Sequence, residues 1–323
     1  MSSAEARVVF PGATVEISGV DGGLPLQIPD GIPGSRYGTF GDGTVDGSIS
    51  LEHGEPDIVL DSESWQLSLT VPEEGFDQGP QVLYLAQGLA EGIRQPRGIF
   101  LMHAAATVSP EGRGHLIVGK EGYGKTSTML ALCLQQGHKM IGNDLVLLQA
   151  VPGEDPDEYQ FRLIGGTNYI HLRKTALNAN PSLAAAADKA AELGDTMSDG
   201  PSFTSKVRID GAEFGIEAPG GSVPLSAVWH IWLDGRNDDG AAVSEQSTAV
   251  KTLFFSERMA RHISGIVSPL MLTDGQAMLF PPSFDTPAAQ RQRLRAANHL
   301  VSLCKLLTGP EAARAAELIV KHE

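Results

Sequence analysis

With 323 residues, 41% of them hydrophobic and 20% charged, the chain exceeds one average domain and has enough apolar side chains for a real core. A formal net charge of −15 repels phosphate backbones and acidic lipids, which argues against nucleic acid or a membrane surface as the main partner. No stretch reaches the ~18 continuous apolar residues of a membrane span, and "MSSAEARVVF" lacks a basic segment ahead of an apolar run, so a soluble cytoplasmic protein is expected.

Residues 1 to about 75 read as short antiparallel strands, "ARVVF", "ATVEIS", "DIVLD" and "WQLSLTV", separated by glycine turns such as "PDGIPG" and "GDGTVDG". A helix follows over 79–95, with Val82, Leu83, Leu85, Ala86 and Leu89 on its apolar positions. "QPRG" breaks it, which divides a β-rich region, 1–95, from a second region, 96–323. The first region suits substrate or partner recognition. Beyond it, "GIFLMHAAATV" reads as one apolar strand, "SPEGRG" as a turn and "HLIVG" as a second strand. "KTSTMLALCLQQG" has helical periodicity and a terminal glycine stop, and "KMIGNDLVLLQAV" and "YQFRLIGG" return to strand. The alanine-rich stretch 181–205 reads as a short helix and a mobile loop, and "LSAVWHIWLDG" as an apolar strand whose His230 and Trp232 belong to the core. Helices over 247–265, 287–308 and 310–322 close the chain; Thr286 before Pro287 starts the second, and Gly309-Pro310 separates the last two.

Cys133 and Cys304, each inside an apolar helical pattern, read as reduced structural thiols, since they form neither a CxxC site nor a disulfide framework. The nine histidines show no HExxH or paired spacing, so a protein-ligated zinc site has no support.

The strongest signal is "HLIVGKEGYGKTST". Gly119-Lys-Glu-Gly122-Tyr123-Gly124-Lys125-Thr126 fits G-x-x-x-x-G-K-[ST], the Walker A phosphate loop, and it has the required strand before it and helix after it. Glycines let successive N–H groups face phosphate oxygens, Lys125 reaches the β and γ phosphates, and the Thr126 hydroxyl can ligate Mg²⁺. Ser127 continues the anion-binding helix start. The ligand this implies is a nucleoside triphosphate.

"FLMHAAATV…GHLIVGKEGYGKTSTMLALCLQQGHKMIGNDLVLLQ" resembles the HPr kinase/phosphorylase family and its relatives, which are similar to phosphoenolpyruvate carboxykinases around the phosphate loop. His103, the loop 119–126, Gly137-His138 and Asp144 match the family pattern, and "YIHLRKTAL" is similar to its "LR" segment. The resemblance covers about 98–175. It implies an α/β fold with α+β character: a P-loop core, here with a β-rich N-terminal region and C-terminal helices. It implies ATP- and Mg²⁺-dependent transfer of phosphate to a hydroxyl, with Lys125 on the phosphates, Thr126 and Asp144 on the metal, and His103 near the γ-phosphate and the acidic pair. The family's HPr-binding domain is not recognisable before residue 95, so HPr specificity does not carry over. Relatives with a divergent N-terminal region look like tailoring enzymes of peptide natural products, which points to a peptide serine or threonine as acceptor. The family's tendency to oligomerise extends the expectation to a homo-oligomer.

One departure matters. The family's acidic pair is two aspartates, the first being the general base, whereas this chain has Asn143-Asp144. An amide cannot accept the acceptor's proton. Two readings stand: a kinase in which Asp144, or another acid such as Glu121 or Asp195, serves as base, or a nucleotide-binding regulator or scaffold without chemistry. Arg173, Lys174, Lys206 and Arg208 read as surface charges or as a cluster that neutralises phosphate. Arg258 and Arg261, with Glu257 and His262 adjacent, read as a salt-bridged helix face or as an arginine finger. His138, just past a helix end, reads as structural.

Overall fold

A computed structural model describes residues 5–19, 36–38, 44–74, 76, 78–153, 158–173, 206–214, 216, 221–235, 240–261, 263 and 269–323. The stretch 181–205 with Asp195, residues Lys174 and His262, and the side chains of Arg173, Lys206 and Arg208 lie outside what it describes. In chain order, β1 (Glu5–Phe10), β2 (Ala13–Gly19), β3 (Arg36–Gly38), β4 (Gly47–His53), β5 (Asp57–Asp61) and β6 (Gln66–Val71) lead to helix α1 (Gln78–Arg94). Strands β7 (Ile99–Met102), β8 (Ala105–Val108) and β9 (Gly114–Val118) precede α2 (Lys125–Gln136). There follow β10 (Lys139–Pro152), β11 (Tyr159–Thr167), β12 (Tyr169–Arg173), β13 (Lys206–Asp210), β14 (Val223–Leu233) and β15 (Ala242–Ser244). Last come α3 (Thr248–Ala260), β16 (Leu270–Met271), β17 (Ala277–Leu279), α4 (Pro287–Leu303), β18 (Cys304–Gly309) and α5 (Ala312–Lys321). The fold is mixed α/β. Among the described residues, no helix is long and apolar enough to cross a membrane.

The chain packs as two units, 1–101 with 255–296, and 102–254 with 297–323. In the first, six strands form one sheet in the order β3-β1-β2-β4-β6-β5. The expected antiparallel pattern holds for β1 with β2 and for β5 with β6, but β2, β4 and β6 run parallel. For β4 and β6 the reason is connectivity: β5 turns back along the far side of β6, so the two share a direction. Helix α1 buries Val82, Leu83, Leu85, Ala86, Leu89, Ala90 and Ile93 in the same core as Val15, Ile17, Ile49 and Leu67 of the sheet. Its Gly88 and Gly92, four residues apart, leave room for the Phe284 ring and the Trp65 ring. A buried pair, Arg94 with Glu91, is extended by Gln95, which bonds Glu91 at 2.8 Å and accepts from Arg293 at 2.7 Å. Arg258 lies half-buried in this unit's part of the chain, where burial and neighbouring Arg261 hold its guanidinium below the usual range and Glu257 opposes the shift.

In the second unit the strand path is β11-β10-β8-β9-β14-β18-β15, and β11 also pairs β14, so the path β11-β10-β8-β9-β14 returns to its own start. Strands β9, β14 and β18 are parallel, and the other neighbours along this path are antiparallel. Helix α2 supplies Met129, Leu130, Ala131 and Leu132 to a core shared with Ala312, Ala315, Ala316 and Ile319 of α5. The expected helix over 287–308 ends at Leu303, because Cys304–Gly309 form β18 between β14 and β15. The expected single strand "GIFLMHAAATV" is broken at His103 and Ala104. Trp232 is a correction in phase: Trp229 and Ile231 face the core, so Trp232 on the alternate face is 52% exposed. His230, on that same alternate face, is half-buried, stacked on Phe254 and bonded to Gln246 at 2.8 Å. Burial pushes the Cys133 thiol up to about 12 and the Cys304 thiol up to about 11, so neither supplies a thiolate near neutral pH.

At the start of β9 a second set of polar side chains is buried. Trp229 Nε1–H donates to His115 Nδ1 at 3.1 Å, which puts the proton of a neutral His115 ring on Nε2. That nitrogen and His138 Nε2 each lie 3.2 Å from Glu323 Oε1, off the line of a good hydrogen bond. His138 Nδ1 meets Thr107 Oγ1 at 3.2 Å, and Arg113 Nη1 donates to the Glu323 backbone carbonyl at 2.9 Å. His138, just past the end of α2, thus turns its ring to Thr107 and Glu323. Burial, then the neighbouring His138 and Arg113, push His115 from 6.5 down to about 4 despite the opposing charge of Glu111. The folded chain therefore refuses a proton that the unfolded chain binds below pH 6.5. Stability contributed by a neutral His115 is full above 6.5 and is lost as pH falls toward 4, roughly 3 kcal/mol in all. Denaturant unfolding at pH 7 and pH 4.5 should show a smaller loss in His115→Asn, which keeps an acceptor for Trp229 and does not titrate; an equal loss contradicts the assignment.

Candidate functional site

The loop between β9 and α2 owes its shape to its glycines. Gly122 and Gly124 have φ of +82° and +91°, left-handed values that other residues adopt at a cost. A Cβ on Gly124 would lie 2.6 Å from Leu233 Cδ1, and one on Gly119 would lie 2.7 Å from the Ile231 carbonyl oxygen. The loop is thus pressed against β14 with backbone where a side chain would not fit. Thr128 N–H donates to Gly124 O at 2.8 Å, and the amides that precede it at the start of α2 have no acceptor within the helix. Lys125, 7% exposed, folds its ammonium back into the loop and donates to the carbonyls of Gly119 at 3.2 Å and Lys120 at 3.1 Å. Tyr123 packs edge-on against exposed Trp232, with ring centroids 5.2 Å apart. Glu121 is exposed in the loop, and Ser127 is half-buried in the first turn of α2.

Thr126 Oγ1 donates to Asn143 Oδ1 at 2.9 Å, and Asn143 is fully buried, its amide reaching the Tyr169 carbonyl at 3.5 Å. Asp144, next in the chain, takes a left-handed φ of +61° inside β10, where the pairing with β11 slips between Asn143 and Val146. Its carboxylate meets His171 Nδ1 at 2.8 Å, and both side chains are 27% exposed. The Asp144 carbonyl accepts from Ala104 N–H at 3.2 Å, which ties the break that carries half-buried His103 to the same point of β10. The structure therefore brings Thr126 to Asn143 and Asp144 to His171.

His171 was not weighed from the sequence, although it stands in "YIHLRKTAL". The available signal was the strand alternation of Tyr169 and His171, whose rings lie 5.1 Å apart. Among the described residues, His115, His138 and Glu323 form a donor cluster whose ligand atoms lie within 4.8 Å of one another. The Trp229 contact leaves the proton of His115 on the very nitrogen a metal would need, so that cluster does not suit a cation.

No protein-family model and no curated protein sequence matches the chain. Among solved structures it is similar to the Hpr(Ser) kinase/phosphatase from Coxiella burnetii, with 18% identity and a TM-score of 0.24, over 45% of this chain and 77% of that one.

Asn143 offers a direct check of this geometry. Aspartate at 143 would bury a charge between a hydroxyl and the Tyr169 carbonyl, costing about 1–3 kcal/mol. Asn143→Asp should melt below the parent in EDTA and recover with millimolar Mg²⁺, while the parent is indifferent. Equal melting in both conditions would contradict the arrangement.

Proposed function

We propose that the chain is an ATP- and Mg²⁺-dependent phosphotransferase that moves the γ-phosphoryl group to a hydroxyl of a peptide, protein or small molecule. The observation that supports this reading is the loop itself: two left-handed glycines wrap backbone around the Lys125 ammonium at the start of α2. That combination suits an anion with several oxygens, because amide dipoles and the ammonium converge on one small volume.

The residues present fit the triphosphate and its cation. Lys125 would exchange its loop carbonyls for phosphate oxygens. Thr126 Oγ1 and, 2.9 Å from it, Asn143 Oδ1 are hard oxygen donors of the kind Mg²⁺ takes, as is the carboxylate of Asp144 next in the chain. The cation, when bound, neutralises charge on the phosphates. Exposed Trp232 and Tyr123 flank the same loop. Phosphoryl transfer passes through a loose transition state, so positioning and charge neutralisation supply most of the rate and the chain needs little covalent chemistry. A peptide serine or threonine is the acceptor we favour, from the resemblance to peptide-tailoring relatives.

The reading with binding alone draws on Asn143, an amide where the family has an acid. The two separate on ADP release from ATP and Mg²⁺, with and without candidate acceptors. Transfer predicts turnover that Lys125→Ala lowers by about 100-fold or more. Nucleotide binding with no turnover would leave the regulator reading standing.

A further inference from the structure

We propose that Trp232, steadied by Tyr123, is the surface on which the purine base of the nucleotide stacks; this rests on the triphosphate-binding reading above. Trp232 is the next-to-last residue of β14 and, at 52% exposure, the largest exposed hydrophobic side chain among the described residues. Tyr123 lies between Gly122 and Gly124 of the loop, and its ring meets the indole at 68° with centroids 5.2 Å apart. At that angle the phenol supports the indole without stacking over it. An indole so open adds little to a core, and its surface is free for a ligand.

Backbone fixes the pair to the loop. Leu233 N–H donates to the Tyr123 carbonyl at 3.4 Å, and the Leu233 side chain is what a Cβ on Gly124 would strike. Strand alternation sends Leu233 to the loop and core and Trp232 to the opposite face. On that face His230 stacks on Phe254, ring centroids 4.3 Å apart and planes 24° apart, so aromatic surface continues from the loop along β14. Tyr123 itself stands within the run of residues, 119–126, whose amides are offered to phosphate. A nucleotide held there by its phosphates has one flat apolar part, the base, and the sugar carries it out of the loop. Every base has a π face, so an indole beside the loop binds it without reading its edge. A neutral ring, unlike the phosphates, meets no opposition from a net charge of −15.

The test compares binding of ATP and of inorganic tripolyphosphate, each with Mg²⁺, to the full chain by calorimetry. The parent should hold ATP about 10-fold or more tighter, the scale of one base–aromatic stack. Trp232→Ala should erase that margin while Kd for tripolyphosphate stays within about twofold, and Trp232→Phe should keep most of it. Indole emission should change with ATP and not with tripolyphosphate, and the change should vanish in Trp232→Ala, because Trp229 is fully buried. Parental ATP affinity in Trp232→Ala, or equal weakening of both ligands, would overturn the proposal; in the second case the indole only props the loop. Equal affinity of the parent for the two ligands would overturn stacking and leave the phosphate grip intact. Binding of neither ligand would overturn both, and the failure would then lie in the loop.

Discussion

A strand sends consecutive side chains to opposite faces, and the candidate site depends on how β10 handles that rule at two residues. Asn143 is fully buried and bonded to Thr126, whereas Asp144 adopts a left-handed backbone where the register with β11 slips. For a residue other than glycine that conformation costs about 1 kcal/mol, and aspartate is among those that tolerate it best. The result is a division of labour between neighbours. The amide stays with the loop, and the carboxylate goes to His171. A regular strand would turn the two side chains to opposite faces.

The loop and the buried histidines lie at opposite ends of β9. At its end, Gly119 and Gly124 press against β14 and open onto α2; at its start, His115 is held by Trp229 and faces Glu323. The glycine loop sits at the carboxyl end of β9, ahead of the N-terminus of α2, where free amides favour an anion. The other end reads as anchorage, with polar groups buried around a carboxyl that burial pushes up. In a chain of net charge −15, the Lys125 ammonium inside the loop is a local reversal of sign, and anion recognition needs such a reversal.

Much of this was legible from residue order. Glycine spacing located the loop, and helical periodicity located α1 and α2 to within a residue or two at most ends. Pairing direction was not legible, because β4 and β6 run parallel on account of where β5 returns rather than of any local pattern. Strand β18 was hidden inside a helical run: "CKLLTG" follows α4 with no glycine or proline between them, and a short apolar segment fits either period. Trp232 shows the cost of a one-residue phase, since the alternation was visible but not which face was buried. His171 lies in a strand with no motif spacing, and only folding sets it against Asp144.

The central claim is that residues 119–126 grip a triphosphate, and backbone amide chemical shifts report it most directly. On titration of the isotope-labelled chain with ATP and Mg²⁺, the amides of Gly119, Gly122, Gly124, Lys125 and Thr126 should shift most, saturably, with the Lys125 ammonium moving alongside them. Shifts confined to other parts of the chain, or none at millimolar nucleotide, would contradict the account.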